Sequence, residues 1–113
     1  MGGRVYDDPQ QATVAGTDHG LVAGDGVFET LKVTERGAFA VRRHLDRLSR
    51  SAAALHLPPP DHAQVREAID AVLDGREFRR GKLRITYTGG RGPLSSEAAY
   101  GAPTLLVALA PAD

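Results

Sequence analysis

Cysteine is absent from this chain, and lysine occurs only twice, at Lys32 and Lys82. The first absence excludes a disulfide framework and any thiolate metal site. The second confines amine nucleophiles to two positions. Net charge is missing as well, because fourteen basic residues balance fourteen acidic ones. No global field therefore draws the chain to nucleic acid or to an anionic membrane, and any anion site must be local. No apolar stretch is long enough to span a bilayer, and the opening Met-Gly-Gly-Arg-Val-Tyr-Asp-Asp-Pro lacks the apolar region of a signal peptide. Tyr6 stands where a myristoylation motif needs Ser or Thr. The expectation is a soluble, cytoplasmic protein with neither nucleic-acid nor membrane partners. The four histidines, His19, His44, His56 and His62, share no helix face with carboxylates, so no metal site is expected.

What is present is ordinary in amount: 42% hydrophobic and 25% charged residues over 113 positions, which suits one small globular domain spanning residues 1–113. A domain of this size often leans on a partner for stability. Residues 1–17 are polar and punctuated by Pro, Gln and Gly, with a short strand expected near Thr13–Ala15. From Gly26 to Thr34 the β-branched and aromatic content rises and the side chains alternate. Val27, Glu29, Leu31 and Val33 share one face, and Phe28, Thr30 and Lys32 the other. Glu35-Arg36-Gly37 reads as a hairpin loop, with Ala38–Val41 as the returning strand.

The period then changes. Between Arg42 and Leu57, Leu45, Leu48, Ala52 and Leu55 recur at spacings of three and four, the stripe of an amphipathic helix stopped by Pro58-Pro59-Pro60. Asp61 is suited to cap a second helix, with Gln64 three residues on. Val65, Ala68, Ile69, Val72 and Leu73 form its apolar stripe, and Gly75 ends it. Lys82–Thr88 alternates again, Gly89–Pro93 is rich in turn residues, and Thr104–Ala110 is a nearly continuous apolar strand. The β-β-α-α-β-β order predicts an α+β fold, a mostly antiparallel sheet with two helices packed on one face. The other face, with Phe28, Thr30, Lys32, Arg84 and Thr86, is too polar for a core and suits a ligand or a partner domain.

Arg47, flanked by His44 and Ser51, lies beside the stripe of the first helix. A guanidinium can fork onto phosphate or carboxylate, yet among Arg42, Arg43 and Arg50 it also reads as a solvated surface charge. Arg84, in mid-strand, reads either as an anion ligand or as the partner of Glu29 in a cross-strand ion pair. Gly89-Gly90-Arg91-Gly92 is either an anion-binding nest or a hairpin loop. Spacing alone assigns no catalytic residue.

The combination is more specific than its parts. Asp18-His-Gly-Leu-x-x-Gly-Asp-Gly-Val-Phe-Glu-Thr-Leu-Lys32, then His44-Leu-Asp-Arg47-Leu-x-x-Ser51-Ala, then Leu83-Arg-Ile-Thr86, resembles the N-terminal domain of fold-type IV pyridoxal-phosphate enzymes, the class IV aminotransferases. It is most similar to the aminodeoxychorismate lyase branch. The resemblance covers roughly residues 4 to 111. It implies pyridoxal 5'-phosphate as cofactor, with Arg47 on its phosphate, and Phe28, Lys32, Arg84 and Arg91 on the substrate side. It implies amino and keto acids or aminodeoxychorismate as substrates, and a homo-oligomer as the assembly. In such enzymes the Schiff-base lysine belongs to a second domain, and neither Lys32 nor Lys82 matches it. The family's opening apolar strand is also missing, with only Gly3-Arg4 matching its end. The expectation is an N-terminal half inactive by itself. The alternative is a standalone, non-catalytic α+β binding or oligomerisation module that would associate through its Phe28, Lys32 and Arg84 face.

Overall fold

The computed structural model describes residues 3–76, 79–94 and 102–112. A 3-10 turn at Pro9–Gln11 precedes a one-turn helix α1 (His19–Val22), then β1 (Gly26–Thr34), β2 (Gly37–Ala38), α2 (Val41–Ala54), α3 (His62–Leu73), β3 (Gly81–Thr88) and β4 (Thr104–Pro111). The four strands form one antiparallel sheet in the order β2-β1-β3-β4. The expected α+β fold is therefore present, with α1 added and without the strand expected at Thr13–Ala15, where the chain has no partner strand.

The core lies between one sheet face and the two long helices. Leu31 and Val33 of β1 and Leu83, Ile85 and Tyr87 of β3 are buried against Leu45, Leu48 and Ala52 of α2 and Val65 and Ile69 of α3. The period-two alternation of β1 places Phe28, 57% exposed, on the far side of the sheet. The Tyr87 hydroxyl donates to the Pro58 carbonyl at 2.9 Å, pinning the triple proline to the sheet.

Two boundaries differ from expectation for the same reason. The returning strand stops at Ala38 because Ala40 takes a left-handed conformation, φ 58°, and turns the chain into α2 at Val41. α2 itself ends at Ala54, before the prolines. His56 is left-handed at φ 59°, with Leu57 N–H donating to Ala52 O and His56 N–H to Ala53 O, the bond pair of a Schellman motif. Asp61 caps α3 as expected, its carboxylate accepting from the N–H groups of Ala63 and Gln64. Among the described residues, no helix is long and apolar enough to cross a membrane.

Candidate functional site

β1 carries the site because its two faces serve different purposes. Glu29 points to the helix side and is only 6% exposed. A carboxylate at that depth needs partners, and α2 supplies them. His44 Nδ1 lies 2.7 Å from Glu29 Oε1 and donates to it, while Arg47 Nε lies 3.8 Å from the same oxygen. His44 and Arg47 are three residues apart, so both face β1 from adjacent turns. The Arg47 side chain is 59% exposed, and among the described residues its ion pair with Glu29 is its sole polar contact. Its outer guanidinium edge is open for an anion.

The opposite face presents a second group. Phe28 and Arg84 stack, with the guanidinium carbon 4.4 Å from the ring centroid. Lys32 lies directly opposite Lys82 in the β1–β3 register, and Thr30 opposite Arg84. Two lysines and an arginine therefore share an exposed surface whose other strand positions (Gly26, Phe28, Thr30, Thr86, Thr88, Thr104, Leu106, Ala108 and Ala110) include no acid. Like charges facing each other across strands are unfavourable without an anion nearby. The alternative ion pair between Arg84 and Glu29 does not form, because their side chains project from opposite faces.

A third group closes the end of the sheet. Asp18, 1% exposed, accepts from Gly20 N–H at 2.8 Å, the Thr88 hydroxyl at 2.7 Å and the Thr104 hydroxyl at 2.5 Å. Burial alone raises its pKa, but the donors from Thr104, Thr88 and Gly20 outweigh burial and hold it below the usual value. The fully buried His19 ring has Nε2 2.7 Å from the Pro93 carbonyl, to which it donates, and Nδ1 3.2 Å from Asp25 Oδ2. Backbone bonds His19 N–H to Gly90 O, Gly92 N–H to Thr17 O and Gly89 N–H to Asp25 O stitch the Gly89–Pro93 loop to the α1 segment. Arg91 sits on this loop, bridged through its backbone to Asp18. Gly90 is left-handed at φ 80°, and a Cβ there would meet Ala102 O at 2.0 Å. The loop is thus a fixed support for Arg91.

The five expected site residues fall into three places. Phe28, Lys32 and Arg84 share the exposed sheet face, Arg47 stands on the helix side, and Arg91 lies on the loop at the sheet end. Sequence reasoning missed Glu29 as the anchor of Arg47, and it missed the Asp18–His19 clasp. The signal for Glu29 was an acid on the apolar face of β1. For the clasp it was the Asp-His-Gly triplet at a loop-to-strand approach, where Gly20 has room for no side chain because Thr88 Cγ2 would lie 2.6 Å from its Cβ.

Residues 26–113 match the profile of the family described as Amino-transferase class IV. The chain is 40% identical over 86 residues to the bifunctional aminodeoxychorismate lyase / D-amino acid transaminase of Mycobacterium tuberculosis, covering 74% of this chain and 30% of that protein. It is 35% identical over 104 residues to a putative branched-chain-amino-acid aminotransferase of Methanocaldococcus jannaschii, covering 88% and 35%. A hypothetical aminotransferase from Mycobacterium tuberculosis in its PLP-bound form superposes with a TM-score of 0.76 at 34% identity, over 92% of this chain and 36% of that one. The chain spans about a third of the length of the curated relatives it matches.

Proposed function

Since this chain belongs to the class IV aminotransferase family, we propose that it is the N-terminal half of a pyridoxal-phosphate enzyme of the aminodeoxychorismate lyase or aminotransferase kind. In this reading it forms a single domain that contributes the phosphate arginine and the substrate-side wall, and it is inactive by itself. The observation that carries the reading is the buried Glu29 holding Arg47 by its Nε and leaving the rest of the guanidinium open. That suits a phosphate, which takes a planar double donor.

Pyridoxal phosphate, when bound, supplies an electron sink for charge developing at the carbon that bears the amino group. The chain's own residues would hold and orient. Arg47 takes the phosphate from the helix side of β1. β2 pairs with Val33 and Thr34, and Phe39 N–H extends that ladder to Lys32 O, so among the described residues Gly26–Leu31 has no partner strand along that edge of β1. A ligand lodged at this edge reaches Arg47 on one side and Phe28 on the other. Lys32 and Arg84 then serve the carboxylates of an amino acid, a keto acid or aminodeoxychorismate, and Arg91 addresses them from the loop.

The proposed inactivity rests on the family's Schiff-base lysine, whose position neither Lys32 nor Lys82 matches; both stand on the sheet face opposite Arg47. Purified chain, supplied with pyridoxal phosphate, an amino donor and a 2-keto acid, is expected to give no turnover. Borohydride reduction is expected to trap no stoichiometric adduct at either lysine. Sustained turnover, or one saturating lysine adduct lost in Arg47→Ala, would falsify this reading.

A further inference from the structure

We propose that the cleft between the start of α2 and the first turns of α3 is a second anion site, one that takes a planar ligand bearing several phosphates, of the nucleoside triphosphate kind. The site uses residues that the functional reading above leaves idle, and it is independent of that reading.

The cleft is open and has a volume of roughly 730 Å³, within the range of small-molecule sites, about 300–1,000 Å³. Its apolar wall is the stretch from Ala38 to Val41, on which the Phe39 ring is 64% exposed. Its charged wall is Arg42, Arg43 and Asp46 from α2 and Arg66 from α3. Three cations against one acid leave a local excess of positive charge on a chain that is neutral overall.

Those cations are not neutralised within the fold. Arg42 has Asp46 four residues on, and Arg66 has Asp70, the spacing at which helical ion pairs form. Neither pair forms, and among the described residues none of Arg42, Arg43 and Arg66 enters a salt bridge. Arg47, Arg76 and Arg84, by contrast, have Glu29, Asp7 and the Phe28 ring. The backbone adds to the excess. The positive end of a helix favours acids, yet the first turn of α2 holds none, Ala40 supplies no side-chain cap, and two arginines stand there instead.

The two walls together define the ligand. Guanidiniums fork onto phosphate oxygens, and three of them on two helices exceed what a single phosphate engages. The exposed Phe39 ring beside them is a stacking face for a planar base. A ligand that joins a base to a chain of phosphates meets both walls at once. Overall neutrality gives no wider basic track for a nucleic-acid backbone, so a free nucleotide is the occupant that fits.

The test is a calorimetric titration of the full 113-residue chain with ATP in the absence of metal. Saturable binding is expected, weakening as salt is raised. Arg42→Ala and Arg66→Ala are each expected to weaken it about fivefold, and the double variant to abolish it. Arg50→Ala removes the same charge from α2 outside the cleft and is expected to bind like the wild type. Inorganic triphosphate is expected to bind more weakly than ATP, with Phe39→Ser erasing the difference. Pyridoxal phosphate, with one phosphate, is expected not to displace ATP. All four substituted side chains are exposed, so the variants keep the fold. No saturable binding of ATP overturns the proposal, as does an equal loss in Arg50→Ala and Arg66→Ala. Binding lost in Arg47→Ala but kept in Arg66→Ala also overturns it, since the nucleotide would then occupy the site already described.

Discussion

At the scale of single residues, the most constrained group in the molecule is the Asp18 carboxylate. Its three donors come from positions 20, 88 and 104, so one side chain joins the α1 turn, the end of β3 and the start of β4. Removing it would strand two hydroxyls beside it, at Thr88 and Thr104. Asp18→Ala is expected to cost about 3 kcal/mol in denaturant unfolding, the scale of a charged hydrogen bond together with unsatisfied buried groups. The sign of its pH dependence is fixed by the lowered pKa. A carboxylate whose folded pKa lies below its unfolded value stabilises the fold above the unfolded value, and that contribution fades as pH falls toward the folded one. Unfolding free energy should therefore drop below about pH 4, near the ordinary carboxylate pKa. Asp18→Asn should flatten that acid limb while leaving the slope above pH 6 unchanged. An unaltered acid limb in Asp18→Asn would remove Asp18 from the explanation.

At the scale of elements, the Gly89–Pro93 loop owes its position to glycine. Gly90 combines φ 80° with a backbone oxygen where a Cβ would stand, and neither can yield cheaply. Gly90→Ala should displace the 102–103 segment from the loop and destabilise the fold by about 2–4 kcal/mol. Gly37→Ala, at φ 105° with open space around the Cβ, pays only the conformational cost and should lose less. Equal losses would mean that packing against Ala102 contributes nothing. What could be read from sequence follows the same division between local and distant. The two faces of β1, the stripes of α2 and α3 and the Asp61 cap are encoded within a few residues, and each was legible. The left-handed turns at Ala40 and His56 were not, because alanine rarely takes that conformation and histidine takes it too seldom for one residue to announce a turn. The Asp18–His19 clasp joins residues 70 to 86 positions apart, so no local pattern announces it. Arg84 was legible as a misplaced charge, but the ring beneath it was not.

At the scale of the whole molecule, the sheet is a partition with unlike sides. Helices and core occupy one side, and a cationic surface centred on Phe28 and Arg84 occupies the other. Arg47 reaches out from the helical side along β1, whose edge from Gly26 to Leu31 has no partner strand among the described residues. Because the chain is neutral overall, the proposed anion binding would depend on these placements and not on a general field. It should therefore discriminate between arginines close together in sequence. Arg47 and Arg50 lie one turn apart on α2, but only Arg47 is anchored to Glu29.

The most direct test is a phosphorus NMR titration of pyridoxal phosphate with the purified chain and with its Arg47→Ala and Arg50→Ala variants. The account predicts a saturable shift of the phosphate signal that Arg47→Ala abolishes and Arg50→Ala retains. No saturable shift with the wild-type chain, or one that survives Arg47→Ala, would contradict it.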